Sequence, residues 1–587
     1  MSRPAPKSLA AGFSATVAAA VAVHMVGPMT GLVSRPHLLV LPIGVAAAAL
    51  AAWIAHRRPA DLPFRVGAGV AGAGALAAEL LFDNGIGALQ VAAVAASVAA
   101  AVGGSRLLSP LTRRIPLWAP VVGLVAVAMV LIRVVIGGGE LGHDEAAYAL
   151  EARAWLEGTP HTGWGIHRGV AQSVVAAVVL PFGQAAEHLR LVSVVGSLGT
   201  IVAVWWLGRT VVSNRVGLVA AGVFAVAPSF LRRGAEFLTD VPSTGLLLVS
   251  TSLVWRWARR SDAGPGLLLW ASAVGTLAVY FRYQSVLTLG LLAVAAVVVF
   301  SERVRTSARS VAAAVGLGLG LLVPHFVFAT SVTGVPWGVL VATGEAGGRA
   351  YVGEGLVDYA AALPDLLAGQ LGAVAIGTSV IWTVVRLMTS RGGQRSARTD
   401  AVLFLMIPAV GQVLALGMIS HGEPRFVFFP VALMAIVAAL AGDEVRRLGR
   451  TSLYRTGVAA TVMALVVSLG LHGDRIENRA EERAASFEVL VEAAAVIRAE
   501  AGGRCGVITG LEPQTTWLTR CATRPFADPP EIDFPSGVEV YLLLAEDGPR
   551  QPEGELLDEY FALTDGDPTV VAGEGSLGDV EIWRVAG

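Results

Sequence analysis

The side chains able to do chemistry gather in four short stretches. The first, GHDEAAYALEARAWLEG, sets His143 beside the carboxylates Asp144 and Glu145. In it Asp144, Tyr148, Glu151 and Trp155 are spaced four, three and four apart, so a helix would carry them on one face, opposite Ala147, Leu150 and Ala154. The second, RRGAEFLTDVP, ends with Glu236 and Asp240; the third, FRYQ, carries Arg282 and Tyr283; the fourth, HGEPRF, carries His421, Glu423 and Arg425. Carboxylates can take a proton from an attacking hydroxyl. Arginine's planar fork binds phosphate oxygens in pairs. Singly, each stretch has a plain reading: an amphipathic helix that only caps the molecule, or Arg232, Arg233 and Arg282 meeting lipid headgroups. Together they put ionisable groups from four parts of the chain at one level, where such groups mark functional paths.

The elements that must position them are membrane spans. The 587 residues have a mean hydropathy of +0.66 and only 15% charged residues, against about a quarter in soluble domains. Apolar runs long enough to cross a bilayer fall near 8–27, 37–55, 66–82, 86–103, 117–136, 189–208, 216–231, 241–258, 265–281, 284–300, 308–330, 366–388, 401–420, 426–441 and 455–472. With the N-terminus inside, the basic loops at Arg57-Arg58, Arg113-Arg114, Arg259-Arg260, Arg303 to Arg309, Arg386 to Arg398 and Arg446-Arg447 all fall inside, as basic loops do. All four chemical stretches then fall outside. The apolar run 170–183 is short for a span, and the sequence predicts a re-entrant or interfacial helix there, leaving 15 crossings; the alternative reading makes it a sixteenth.

Three regions follow: four N-terminal spans over 1–115, a catalytic bundle over 116–472 with its first external loop at 137–169, and a water-facing domain over 473–587. That last region holds 23 of the 44 acidic and 9 of the 43 basic residues. It predicts an α/β fold, with helices near 476–501 and 513–520 and strands at CGVIT, VEVYLLL and VEIWRV. Cys505 and Cys521 lie in it, either as a disulfide in an oxidising compartment or as two thiols in a small core. No basic face offers itself to nucleic acid.

These stretches resemble the GT-C glycosyltransferases, which use polyprenyl-phosphate-linked sugars. GHDEAAYALEARAWLEG is similar to their first external loop, with its acidic pair and juxtamembrane helix. AEFLTDVP is similar to their second acidic motif, TGWGIHRG to the Trp-bearing stretch of the lipid-linked mannosyltransferases, and HGEPRF to a His-Lys-Glu-x-Arg-Phe signature of that group. The resemblance spans 116–445. Two departures stand out. His167-Arg168-Gly169 replaces a Lys-Pro pair of the aminoarabinose transferase branch, and Gly422 replaces the signature lysine.

The resemblance implies a polytopic α-helical membrane protein, a GT-C-like bundle with a small extracytoplasmic α/β domain, in the plasma membrane. It implies transfer of a sugar, mannose or a pentose, from a polyprenyl-phosphate donor to an envelope glycan, lipid or protein acceptor, with inversion. Asp144 would be the base; Glu145, pointing elsewhere on the helix, would contact a metal or the acceptor, and Asp240 would complete the catalytic set. Arg168, Arg282, His421 and Arg425 would hold the donor phosphate; Tyr148, Trp164, Glu236 and Glu423 would contact substrate. A divalent metal could sit among His143, Asp144 and Asp240. The long 331–365 loop, with Tyr351 and Tyr359, has the length to close over the lipid. The rival from another class is a multi-span transporter of a lipid-linked or polar envelope precursor. Against it stand the absence of matching halves and charges gathered at one face rather than at the midplane.

Overall fold

The structure, a computed structural model, describes residues 118–160, 165–345, 349–389, 396–447, 480–502 and 504–586. The expected spans within 1–115 and at 455–472, and Trp164, lie outside the described residues. Helix α1 (Trp118–Ile136) leads through a glycine turn into α2 (His143–Glu157). Then come α3 (Ala171–Val179), α4 (Ala186–Val211), α5 (Asn214–Ala225), α6 (Pro228–Arg233) and α7 (Asp240–Arg259). The bundle continues with α8 (Gly266–Phe281), α9 (Ser285–Thr306), α10 (Ala308–Leu321), α11 (Val323–Thr333), α12 (Gly338–Glu345), α13 (Glu354–Ala362), α14 (Gly369–Thr389), α15 (Ala397–Ile419) and α16 (Phe428–Arg447).

Five of the described helices are long and apolar enough to cross a membrane; α10 and α11, bent by 47° at their junction, make a sixth if taken as one span. The protein is thus a multi-pass membrane protein. Helix α3 has nine residues and a three-residue 3-10 extension to Phe182, short of a span. Several expected spans are shorter than their apolar runs. The run at 216–231 divides at Pro228 into α5 and α6, because proline suits a helix start better than a helix interior.

Small residues let the helices approach. An added Cβ on Gly208 of α4 would lie 2.6 Å from the Cα of Gly217 on α5, the close backbone contact that helix pairs in lipid favour. Phe428 meets Phe224 and Phe230 edge to face in the core of the bundle. The helices also sort charge along their length. Helix α7 starts at Asp240 and ends at Arg256 and Arg259, α9 ends at Arg303 and Arg305, and α16 ends at Arg446 and Arg447. These basic ends are tied together: Arg259 pairs with Asp400, and Arg386 and Arg398 with the buried Glu444. The chemical residues lie at the other ends of the same helices.

After the bundle, helix α17 (480–500) and a five-stranded sheet form the small C-terminal domain. Its elements are β1 (Cys505–Ile508), α18 (Glu512–Thr519), β2 (Ala522–Arg524), β3 (Glu539–Ala545), α19 (Glu555–Phe561), β4 (Thr564–Val571) and β5 (Val580–Val585), in sheet order β2-β1-β3-β5-β4. Strands β1, β2 and β3 are parallel, and β5 runs antiparallel to β3 and β4. Alternation along β3 sends Tyr541, Leu543 and Ala545 against α17 and Leu542 and Leu544 towards Tyr560 of α19. Both faces of β3 are therefore buried, which is why its sequence reads as one apolar run. Cys505 and Cys521 are disulfide-bonded.

Candidate active site

Asp144 and Asp240 each sit in the first turn of a helix, where the positive end of the backbone dipole favours a carboxylate. Asp144 Oδ1 accepts from Arg168 Nη2 at 3.1 Å, and Asp144 Oδ2 accepts from Arg425 Nη2 at 3.1 Å. Asp240 is paired with Arg282 and lies 4.0 Å from Arg425 Nε. Arg425 thus stands between two carboxylates more than ninety residues apart in sequence. Its Nε–H is buried and makes no hydrogen bond within the protein. The guanidinium carbons of Arg282 and Arg425 lie 4.4 and 5.8 Å from the Phe426 ring centre, a contact that holds cations in place.

Beneath these arginines is a small polar cavity, lined among others by Ser243, Ser285, Thr288 and Gln412. Ser243 and Ser285 hydrogen-bond each other, Thr288 donates to Gln412, and Gln412 donates to the Phe426 carbonyl. The backbone of the arginine loop is therefore fixed from below. His421, half-exposed at the rim, faces Phe426 edge-on, with Nε2 3.9 Å from Glu423 Oε2.

Burial alone would raise the Asp144 carboxyl, but Arg425 and Arg168 overcome it and hold the group below the usual carboxylate range. His143 is pushed down to about 4, first by burial, against the opposing pull of Asp144. Tyr148 is raised by burial and by Asp144.

Several expectations need correction. Glu145 does turn away from Asp144, but it is open to neither metal nor acceptor. It is 2% exposed and accepts from Arg190 Nε and Nη2 at 2.9 Å, Arg483 Nη2 at 2.6 Å, the Phe237 N–H and, as a helix-capping residue, the Gly142 N–H. Glu236 is likewise taken up, by Arg233 at 2.6 Å and Arg483 at 3.1 Å, and Glu423 by Arg233 and Arg425 at 2.8 Å. Each of these two carboxylates is thus engaged by two guanidiniums. Among the described residues no group of three His, Cys, Asp or Glu could hold a metal. His143, Asp144 and Asp240 do not form such a set, and the two carboxylates face guanidiniums instead.

Helix α2 is also not a surface helix with a wet face. Tyr148 and Leu150 are both buried, because α18 of the C-terminal domain covers the side away from the bundle. Arg153 donates to the carbonyls of Thr516 and Trp517, and its guanidinium lies over the Trp517 ring. The 331–365 stretch contains α12 and α13, with Tyr359 buried and Tyr351 exposed.

Sequence reasoning singled out neither Arg190 nor Arg483. Arg190, set in an apolar helix, carried the signal of an intramembrane charge; Arg483, in a polar helix rich in charges, carried none.

The fold has structural neighbours. ArnT from Cupriavidus metallidurans, solved bound to undecaprenyl phosphate, aligns over 80% of this chain and 99% of its own, with a TM-score of 0.59 at 16% identity. The chain has the GT-C fold. ArnT in the apo state shares the GT-C fold over 79% of this chain and 98% of that one, with a TM-score of 0.58 at 15% identity. The apo Archaeoglobus fulgidus oligosaccharyltransferase does so over 74% and 70%, with a TM-score of 0.52 at 12% identity. Residues 170–328, from α3 to α11 of this GT-C fold, match the family model of dolichyl-phosphate-mannose-protein mannosyltransferases. No curated relative matches the chain by sequence.

The two departures from the motifs that this sequence resembles coincide with tight backbone positions. A Cβ on Gly169 would lie 2.3 Å from the Phe281 carbonyl oxygen, so proline does not fit there. Gly422 has φ +75°, and a Cβ on it would lie 2.6 Å from Asp358 Cβ and 2.8 Å from Gly355 Cα. Lysine is disfavoured by both the backbone and the space.

Proposed function

We propose that this protein is a membrane glycosyltransferase that moves a sugar, mannose or a pentose, from a polyprenyl-phosphate donor to an envelope glycan, lipid or protein acceptor on the outer face. The observation that carries this reading is Arg425, held between Asp144 and Asp240 with Arg168 and Arg282 beside it. One cleft thus joins a candidate base to a set of cations suited to a phosphate. The match to a mannosyltransferase family model supports the donor class.

In the reaction the acceptor hydroxyl attacks the anomeric carbon, and the carbon–oxygen bond to phosphate breaks on the opposite face, inverting that centre. The hydroxyl proton passes to Asp144. The electron pair of the broken bond leaves on the lipid phosphate, whose charge the arginines take up. Without donor, those arginines are neutralised by the carboxylates. A bound phosphate would draw Arg168 and Arg425 towards itself, releasing Asp144 from two cations and raising its basicity where the hydroxyl arrives. Arg425 Nε–H, with no partner in the protein, is a further donor for a phosphate oxygen.

The basic helix ends opposite the cleft support a site outside the cytoplasm, and the Cys505–Cys521 disulfide supports the same side for the C-terminal domain. The test supplies radiolabelled polyprenyl-phosphate sugars to membranes containing the wild type or Asp144→Asn. Transfer by the wild type alone, at equal protein level, is the expected result. Equal transfer by the mutant would remove Asp144 as the base, and none by the wild type from any donor would overturn the reading.

A further inference from the structure

We infer that Arg483, at the start of α17, is a positioning residue for the transfer reaction: it closes a ring of ion pairs through which the C-terminal domain fixes Asp144 and Arg425. The inference rests on the glycosyltransferase reading above. The ring can be followed atom by atom. Arg483 Nη2 donates to Glu145 Oε2 at 2.6 Å and Nη1 to Glu236 Oε1 at 3.1 Å. Glu236 Oε2 accepts from Arg233 Nη1 at 2.6 Å, and Arg233 Nη2 donates to Glu423 Oε1 at 2.8 Å. Glu423 Oε2 lies 2.8 Å from Arg425 Nη2, which donates to Asp144 Oδ2 at 3.1 Å. Asp144 and Glu145 are neighbours on α2, so the circuit closes. Arg483 is its one member outside the bundle.

Three features separate this contact from an ordinary surface ion pair, which contributes little. First, the side chains of Glu145 and Glu236 are only 2% and 8% exposed, and a buried carboxylate deprived of a cation is costly. Second, the two guanidinium arms serve two different carboxylates, which a planar fork can do and a lysine ammonium cannot do in the same geometry. Third, the loop before α2 is shaped to admit α17. A Cβ on Gly142 would lie 2.7 Å from Arg483 Nη2, and one on Gly139, which has φ +57°, would lie 2.9 Å from Ala484 Cα.

Charge gives the contact a second consequence. The carboxylates joined by these ion pairs are Asp144, Glu145, Glu236, Asp240 and Glu423, five in all. The guanidiniums are Arg168, Arg190, Arg233, Arg282, Arg425 and Arg483, six in all. The cluster thus carries one surplus positive charge, the sign that a departing phosphate needs, and loss of Arg483 would leave it neutral.

The test compares Arg483→Ala, Arg483→Lys and, as a control, Glu481→Gln on the exposed face of the same helix, all in the full chain. Two readouts are taken: kcat and KM for the donor that the wild type uses, and hydrogen exchange of the purified proteins without donor. For both Arg483 variants kcat should fall roughly 10- to 100-fold, the effect of a small misplacement of reacting groups, with little change in KM. Exchange protection should drop over 143–150 and 234–240 while persisting over 505–585. Guanidinium added to Arg483→Ala should restore part of kcat. Wild-type kcat in either variant would overturn the inference, as would unchanged protection over 143–150. If Arg483→Ala unfolds the C-terminal domain, Arg483→Lys decides on the same criteria. An inactive wild type whose protection still depends on Arg483 would overturn the transfer reading and leave the ring standing.

Discussion

At the scale of single residues, the cleft works by setting arginines against carboxylates. Asp144→Asn removes the proton acceptor and should lower kcat by about 100-fold or more, with donor KM little changed, in the labelled-sugar assay. Because Arg425 and Arg168 hold Asp144 below its ordinary value, the base stays ionised as pH falls from 7 to below about 4, the ordinary Asp value. His143, pushed down to about 4, stays neutral from pH 7 until the pH approaches that value. The acid limb of the kcat/KM profile, which reports the enzyme before donor draws the arginines away, should therefore lie below about pH 4; a limb at pH 6 to 7 would contradict this charge arrangement. The residues of the cleft were legible in the sequence because ionisable groups stand out against apolar runs. The division of labour among them was not. Asp144 and Glu145 are adjacent and chemically alike, yet one faces the cleft while the other accepts from Arg190, Arg483 and two backbone amides.

At the scale of elements, the loop at 421–427 carries Arg425 into the cleft and depends on glycine at its turn. Gly422→Lys, which would restore the family signature, should destabilise the protein by about 1–3 kcal/mol and reduce transfer. A lower Tm measured alongside activity checks this; an unchanged Tm would mean that the loop tolerates φ +75° with a side chain. The disulfide closes a loop of 16 residues between β1 and β2, for which chain entropy gives about 3 kcal/mol. Cys521→Ser in the full chain should lower the unfolding temperature of the C-terminal domain, and reducing agent should bring the wild type to the same value. Five elements of that domain, α17, β1, α18, β3 and β5, followed from its sequence pattern. Strands β2 and β4 and helix α19 did not, because β2 is three residues long and β4 is exposed along most of its length. Helix α2 was legible as a helix but not as a buried one, since its cover comes from α18, more than 350 residues later.

At the scale of the whole molecule, basic helix ends on one side and the cleft on the other predict an outside C-terminus. Alkaline phosphatase fused after residue 587 should be active in intact cells, and a green fluorescent protein fusion should be dark; the reverse pattern would put the cleft in the cytoplasm. The C-terminal domain does not hang from the bundle as an independent unit. Arg153 of α2 binds carbonyls of α18, Arg520 pairs with Glu157, and Arg483 enters the charged cleft.

By itself the sequence determined what local chemistry dictates: which segments are apolar enough for lipid, which of their ends are basic, and which ionisable residues gather at the opposite ends. Only the tertiary structure decided which carboxylate meets which arginine. An ion pair's strength depends on distance and burial, and the partners of Asp144, Asp240 and Glu145 come from helices and loops up to 338 positions away. No spacing along the chain encodes such a meeting; the packing of the bundle and its C-terminal domain does.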